Sequence, residues 1–319
     1  MFKGKYNQSL SHRMMIGDTY RTLSYHKAIN QQVKPNDIVV DFGTGSGILA
    51  LMALKAGAKF VYCVERKQEA RKLAEIILTN NGYTNFKIFV NQYELMKNVK
   101  SADVIISESV GDHLIENVSM RIFLDLCNHY KPRTTIPVQL SLHVYPGIVT
   151  RANAGLKVVE DTVDIDLSPI KDAVLTNPLL DTAYFEGNKN IDDYWQIEKF
   201  NEQPDAGQTI IDYTVSPLSF KTNKFTEDGY VKFETQVNTK NLSEYGVLLY
   251  WKAKLTDDIV ITNHPSRQAN MNHSYYQRII NIHNPDKKKI NTIQIILDID
   301  FDDEVNEDLP CQNLKIKVK

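Results

Sequence analysis

The first half of the chain alternates short apolar runs with longer amphipathic ones. The short runs are rich in Val, Ile and Phe, as buried strands are, and they occupy residues 37–42, 59–64, 86–90, 103–107 and 138–145. Between them, apolar side chains recur at helical spacing in residues 47–56, 67–80 and 117–130. This alternation is typical of βαβ units and a mostly parallel sheet. We therefore predict a doubly wound, Rossmann-like α/β domain over residues 1–145.

After residue 145 the pattern changes to alternating polar and apolar positions with few helical stretches. Four segments have the period of two that half-buried strands show, at residues 230–239, 246–255, 291–301 and 314–319. Prolines punctuate residues 151–212, so this region could hold a projecting segment instead of a compact layer. We predict a β-rich domain over residues 146–319, built as a barrel or a sandwich.

The clearest local signal is VVDFGTGSGIL at residues 39–49. Here a predicted strand leads through Gly43, Gly45 and Gly47 into a predicted helix. Glycines allow a tight turn and a close approach of the backbone to a ligand, and the helix N-terminus presents free N–H donors. Glu65 ends the next strand, eighteen residues after Gly47, where a carboxylate can accept hydrogen bonds from both ribose hydroxyls. The arrangement predicts a nucleotide-like ligand.

Two classes of cofactor use such a turn. A dinucleotide such as NAD is bound by the same physics, with the spacing GxGxxG. In this chain the spacing is GxGxG, beginning two residues after Asp41, and we assign Asp41 and the three glycines to the cofactor site. That spacing resembles the first motif of class I methyltransferases, and the resemblance favours S-adenosylmethionine as the cofactor.

Further segments resemble the protein arginine methyltransferases. Residues 12–29, HRMMIGDTYRTLSYHKAI, are similar to the N-terminal lid that covers the cofactor in that family. The resemblance implies that Arg21 binds the methionine carboxylate, that Met15 flanks the transferable methyl group and that Asp18 faces the active site. It also places Tyr6 on a tyrosine of the family.

The family's substrate loop follows the fourth strand and carries two glutamates. Here that stretch is SESVGDHLIE, which supplies Glu108 and Glu116. Paired carboxylates suit a guanidinium, which is planar, permanently protonated and rich in donors. Seven residues separate the two, one fewer than is usual in the family, so counting forward from Glu108 reaches Asn117; we assign Glu116. The resemblance further implies that Glu94 binds the adenine amine.

Two later segments extend the resemblance. Residues 270–277, NMNHSYYQ, are similar to the family's Thr-His-Trp loop, and His273 would pair there with Asp18 to accept the proton that leaves the methylated nitrogen. Ser274 stands where the family has tryptophan, which implies a wider or more polar pocket. Residues 166–181 resemble a dimerisation arm and imply a homodimer, with an ordinary pair of surface helices as the alternative.

Composition narrows the partners and the location. Lys and Arg number 37 against 39 Asp and Glu, a net charge of −2, so neither a nucleic acid nor a membrane is predicted as a partner. Cys63, Cys127 and Cys311 are far apart, and neither they nor the histidines show metal-ligand spacing, so no disulfide and no metal site are expected. The N-terminus lacks a signal-peptide pattern, and we predict a cytoplasmic protein.

Together these patterns predict an S-adenosylmethionine-dependent N-methyltransferase that acts on a guanidinium, in peptidyl or free arginine. Two alternatives remain open. The shortened glutamate loop and Ser274 also suit an N- or O-methyltransferase of a small metabolite or natural product. A non-catalytic subunit that retains the cofactor site is the second alternative.

Overall fold

The computed structural model of the chain describes residues 8–109, 118–147, 154–166, 208–214, 230–238, 245–263, 278–282, 292–300 and 313–318. The helices in these ranges are α1 (Gln8–Gly17), α2 (Thr19–Gln32), α3 (Ile48–Lys55), α4 (Gln68–Asn80), α5 (Gln92–Asn98), α6 (Val118–Tyr130) and α7 (Ala154–Val163). The strands are β1 (Ile38–Phe42), β2 (Phe60–Val64), β3 (Phe86–Phe89), β4 (Val104–Ser107), β5 (Thr134–Ile136), β6 (Gln139–Gly147), β7 (Gln208–Thr214), β8 (Tyr230–Asn238), β9 (Tyr245–Lys254), β10 (Val260–Thr262), β11 (Arg278–Ile282), β12 (Thr292–Asp300) and β13 (Asn313–Val318). Within the described ranges, none of the helices is long and apolar enough to cross a membrane.

The predicted parallel sheet is confirmed. Its strands run in the order β3-β2-β1-β4-β5, and every pairing between them is parallel. β1 and β4 are buried almost throughout, because helices cover both faces of such a sheet. Apart from Asp41 and Ser107 near their carboxyl ends, their sequences are accordingly continuous apolar runs instead of alternating ones. The first half of the chain therefore has the Rossmann-like α/β architecture.

The helices between these strands also match the apolar periodicity. In α4, Ala70, Ala74 and Leu78 are buried, and they are spaced four residues apart on one face. Leu73 and Ile77 flank that stripe and are half-buried. The helix thus turns its apolar stripe inward, with Leu78 in the common core and Ala74 against the glycine loop, and its charged face to solvent.

The second half is antiparallel, as the period of two predicts. One sheet has the order β10-β9-β6-β7 with β11 paired to β9, and a second has the order β13-β12-β8. The four predicted strand segments correspond to β8, β9, β12 and β13. The prediction of residues 138–145 as a strand of the first half is wrong. The fifth parallel strand is β5, and the predicted run forms most of β6, which pairs only with antiparallel partners among the described strands. The predicted domain boundary at residue 145 therefore falls inside β6. Closure into a barrel stays a prediction, and residues 167–181 of the predicted arm lie outside the described residues.

The two halves share one apolar core through α2. Trp251 and Ile261 of the β9–β10 hairpin belong to the same buried cluster as Tyr25 and Ile29 of α2. A hydrogen bond joins the same two elements: the Tyr20 hydroxyl on α2 donates to the carbonyl of Val260 on β10 at 3.1 Å. The predicted lid helix is therefore held from both sides, by the parallel sheet and by the antiparallel hairpin.

Candidate active site

The candidate site lies at the carboxyl edge of the parallel sheet. The strand order places β1 and β4 side by side while their connections leave in opposite directions, which makes the crevice between them the topological switch point where open α/β sheets bind ligands. Gly43 follows β1, Glu65 follows β2, Glu94 lies in the helix after β3 and Glu108 follows β4. The sequence therefore assigned its candidate residues to the ends of four strands that meet at one edge.

The glycine loop has the backbone that only glycine adopts without strain. Gly43, Gly45 and Gly47 have φ values of 75°, 52° and 80°, all in the left-handed region. A Cβ at Gly47 would lie 3.1 Å from the Cβ of Ala74 on α4, and one at Gly43 would overlap the Ser109 hydroxyl. The loop is therefore packed closely against α4 on one side and against the loop after β4 on the other.

Asp41 lies beneath this loop and holds its shape. Its Oδ2 accepts hydrogen bonds from the Thr44 hydroxyl and, at 3.1 Å, from the Ala50 N–H. The side chain is fully buried. Burial raises the pKa of the Asp41 carboxyl to about 7, although the two hydrogen bonds favour its ionised form. Asp41, predicted as a cofactor-site residue, thus lies below the loop and joins it to the N-terminal end of α3 through these two hydrogen bonds.

We expect this carboxyl to make stability depend on pH between about 4 and 7. The unfolded pKa is about 3.9 and the folded pKa about 7, so the folded state binds the proton more tightly. The resulting stabilisation is complete below the lower value and is lost as the pH rises through the higher one. Urea unfolding of the wild type and of Asp41→Asn from pH 5 to 8 should show the wild type losing stability relative to the variant. Parallel pH profiles for the two proteins would contradict the raised pKa.

Glu65 ties the glycine loop to the end of β2. Its Oε2 accepts from the Gly45 N–H at 3.0 Å and its Oε1 from the Lys67 N–H at 2.8 Å. Arg71 on α4 donates to the carbonyl of Glu65 at 2.9 Å. A carboxylate offers about four acceptor positions, so these bonds orient Glu65 and leave it able to accept from a ligand. The geometry is compatible with the predicted ribose role.

Glu94 has a local structural function at the edge of the site. The Asn91 side chain caps α5 by accepting from the Glu94 N–H at 2.9 Å, while Glu94 Oε2 accepts from the Val90 N–H at 3.1 Å. This arrangement is similar to a capping box, except that Glu94 accepts from Val90, one residue before the cap residue Asn91. It fixes the Glu94 carboxylate, which is exposed, next to the loop after β3. The side chain predicted to bind the adenine amine therefore also takes part in the cap of α5.

His12 is a site residue that the sequence interpretation did not assign. It lies on α1 with its Nε2 3.5 Å from where a Cβ of Gly45 would be, and its Nδ1 is buried without a hydrogen-bond partner in the part of the chain that the structure describes. Burial lowers its pKa, with Glu65 acting in the opposite direction and Lys67 and Arg21 in the same one. Burial thus favours the neutral form of this imidazole, which lies next to the glycine loop. Its position as the first residue of the lid segment was the available signal.

Asp18 and Arg21 lie at the first turn of α2. Asp18 is 2% exposed and caps the helix by accepting from the Arg21 N–H at 3.2 Å. Met15, half-buried on α1, precedes this cap. The buried carboxylate thus fixes the start of the helix that carries Arg21, a local function in addition to its predicted active-site role.

Arg21 and Glu108 form an ion pair, in which Nη2 of the arginine contacts Oε2 of the glutamate. Their side chains are only 12% and 13% exposed. Burial lowers the pKa of Arg21 to about 10, although the Asp18 carboxylate favours its charged form, so the guanidinium stays protonated at neutral pH. The structure thus brings the residue predicted for the cofactor carboxylate against the residue predicted for the substrate.

The remaining predicted residues are Tyr6, Glu116, His273 and Ser274, which lie outside the described residues. The glutamate pair and the Asp18–His273 dyad therefore stay predictions. Among the described residues, no group of His, Cys, Asp and Glu could hold a metal ion. Cys63 and Cys127 are buried free thiols.

Comparisons with known proteins agree with this geometry. The family model of ribosomal protein L11 methyltransferase (PrmA) matches residues 20–135. A probable protein arginine N-methyltransferase 1.2 of Arabidopsis thaliana is 34% identical over 191 residues, which are 57% of this chain and 51% of that protein. The chain thus spans about half the length of the curated relatives it matches.

Solved protein arginine methyltransferases (PRMTs) share the fold over nearly the whole chain. The crystal structure of PRMT6-SAH superposes with a TM-score of 0.63 at 17% identity, covering 97% of this chain and 99% of that one. The Trypanosoma brucei PRMT1 enzyme-prozyme heterotetrameric complex with AdoHcy gives a TM-score of 0.61 at 18% identity, covering 96% of both chains. The resemblance carried by the motifs is confirmed: the chain is similar in sequence to the protein arginine methyltransferases and has their class I methyltransferase fold.

Proposed function

We propose that the protein is an S-adenosylmethionine-dependent N-methyltransferase that acts on the guanidinium of arginine, either in a peptide or as the free amino acid. The observation that carries this proposal is the Glu108 carboxylate. It is nearly buried at the switch point of the sheet, beside the glycine loop, and it already binds one guanidinium, that of Arg21. A carboxylate so placed favours a cationic, multi-donor acceptor over a neutral one.

The glycine loop and its neighbours fit the cofactor. The three glycines of the loop have left-handed φ values and no side chains that would block a ligand. The N-terminus of α3 directs its free N–H donors to the ligand side of the loop. Glu65 would accept from the ribose hydroxyls, Glu94 from the adenine amine, and His12 would contact the part of the ligand above Gly45. Arg21, protonated at neutral pH, would bind the methionine carboxylate, with Met15 and Tyr6 closing the lid.

The chain's own residues would orient the acceptor and remove its proton. Bound S-adenosylmethionine supplies an electrophilic methyl group on a positive sulfur, and the transfer exchanges a carbon–sulfur bond for a carbon–nitrogen bond. Glu108 and Glu116 would hold the guanidinium so that one nitrogen faces that group, and orientation is the main requirement for such a transfer. The proton released by the nitrogen would pass to the Asp18–His273 dyad.

The proposal is tested by transfer of labelled methyl from S-adenosylmethionine to a panel of acceptors. The panel contains an arginine-rich peptide, the same peptide with lysine at every arginine, free arginine and unrelated small amines. We expect label on arginine and none on the lysine peptide. Cofactor binding by calorimetry without label on arginine would favour the small-metabolite methyltransferase, and binding without turnover on any acceptor would favour the non-catalytic subunit.

We further propose a cytoplasmic homodimer. The T. brucei PRMT1 relative forms an enzyme-prozyme heterotetramer, and residues 166–181 of this chain resemble a dimerisation arm in sequence. The buried free thiols Cys63 and Cys127 are compatible with a reducing compartment. Light scattering of the full chain should give twice the monomer mass of 36.5 kDa.

A further inference from the structure

Tyr25 joins the lid helix to the end of the strand that carries the substrate glutamate. Its side chain is fully buried, and its hydroxyl donates to the carbonyl of Ser107 at 2.9 Å. Ser107 is the last residue of β4 and directly precedes Glu108. A bond between residues 82 positions apart in the sequence thus holds the point at which β4 ends and the glutamate loop begins.

This bond and the Arg21–Glu108 ion pair together form a two-point attachment. Arg21 and Tyr25 are four residues apart on α2, so their side chains lie on the same face of the helix. They contact two consecutive residues, Glu108 and Ser107. Two contacts one helical turn apart fix both the distance and the rotation of α2 relative to the end of β4. With the ion pair alone, α2 could shift while the long, flexible Arg21 side chain kept its contact with Glu108.

We propose that Tyr25 is a positioning residue that sets the placement of Glu108 relative to the lid helix, an inference that rests on the proposed methyl transfer. The hydroxyl is suited to this role because it remains a donor at all working pH values: burial raises the pKa of Tyr25 well above its usual value, against the opposing charge of Arg21. The end of β4 is further ordered by Ser109, whose N–H donates to the Ser107 side chain at 3.2 Å.

If Tyr25 served only the stability of the fold, removing its hydroxyl would affect turnover no more than removing a comparable hydroxyl elsewhere on α2. The ring of Tyr25 belongs to the apolar core, and Tyr25→Phe keeps that ring while it removes only the hydroxyl. Tyr20 supplies the matched control, because its hydroxyl also fastens α2 to a backbone carbonyl, that of Val260 at 3.1 Å. Tyr20→Phe therefore removes an equivalent hydrogen bond from the same helix, one that joins α2 to β10 and not to the end of β4.

The first experiment compares the two variants in methyl transfer from S-adenosylmethionine to the arginine-rich peptide. We expect Tyr25→Phe to lower kcat about tenfold, since small misplacements of orienting groups can cost up to about a hundredfold, and Tyr20→Phe to keep kcat within about twofold. Melting temperatures should fall by similar amounts in both. An equal loss of kcat in both variants, or none in Tyr25→Phe, would overturn the positioning role.

The second experiment needs no turnover. Amide hydrogen exchange of the full chain, followed by mass spectrometry over residues 104–109, should become faster in Tyr25→Phe and stay as in the wild type in Tyr20→Phe. If the wild type does not methylate arginine, the proposed function fails, yet this measurement still decides the role of Tyr25. Unchanged exchange in Tyr25→Phe overturns the inference even in an active enzyme.

Discussion

Glu108→Gln should lower kcat/KM for arginine peptides by about a thousandfold, because removing one partner of a buried charge pair costs about 3–5 kcal/mol. The amide has nearly the shape of the carboxylate, so the change removes charge while it retains packing. Its NH₂ group would face the donors of the guanidinium, which can only donate. The acceptor would then bind weakly and in the wrong orientation.

The ion pair with Arg21 determines the controls for this variant. Loss of the Glu108 charge leaves Arg21 in a site where burial already lowers its pKa to about 10, and the cofactor could bind differently as a result. Calorimetric titration with S-adenosylhomocysteine separates the two effects, and we expect its affinity to change less than about tenfold. Glu75→Gln, an exposed glutamate on α4, is the matched variant and should retain full turnover. Arginine turnover within a few-fold of wild type in Glu108→Gln would exclude the guanidinium-binding role.

The elements with strong local signals were predictable from the sequence. β1 and β4 begin as continuous apolar runs because helices cover both sides of the sheet, and α4 has a buried residue every four positions. The glycine loop was equally predictable, since left-handed φ values at three alternate positions favour glycine. These features depend on residues close together in the chain, so a pattern within a short window contains them.

Contacts between distant residues were not predictable in the same way. The family resemblance placed Arg21 and Glu108 in one site but with separate partners, the cofactor and the substrate. The structure pairs them with each other across 87 positions of sequence. The Tyr25–Ser107 and Tyr20–Val260 bonds join α2 to strands far along the chain. The hydrophobic periodicity of the sequence does not indicate such contacts, because they depend on how the helices and sheets pack against one another in the folded protein.

The roles of single carboxylates show the same division. The spacing of the glycine motif indicated Asp41 and Glu65, and the family resemblance added Glu94 to the same site. Neither could show that Asp41 acts from beneath the loop, or that Glu65 and Glu94 also hold backbone N–H groups. These second functions arise because buried or loop-facing N–H groups need acceptors, and the nearest available acceptors are the same carboxylates.

Trp251→Ala should lower the free energy of unfolding by about 3–5 kcal/mol, the range for removing a large aromatic side chain from a core. Trp251 is fully buried on β9. Its backbone N–H donates to Asn263 Oδ1 at 2.7 Å, and the substitution keeps this donor, so the expected loss comes from the side chain. The cavity left by alanine would lie in the core that the antiparallel hairpin shares with α2. Trp251→Phe, which fills part of the space, should cost about 1–2 kcal/mol.

The position of this cavity makes the variant a test of how the lid is supported. Because α2 packs on the hairpin and carries Arg21, loosening the core should raise KM for S-adenosylmethionine more than KM for the peptide. Urea unfolding monitored by circular dichroism gives the stability, and initial rates at subsaturating cofactor give the KM values. Val163→Ala, an exposed apolar position on α7, should change neither quantity measurably. A Trp251→Ala protein as stable as the wild type would show that the hairpin does not contribute to the common core. A destabilised protein with unchanged cofactor KM would show that α2 is held by the parallel sheet alone.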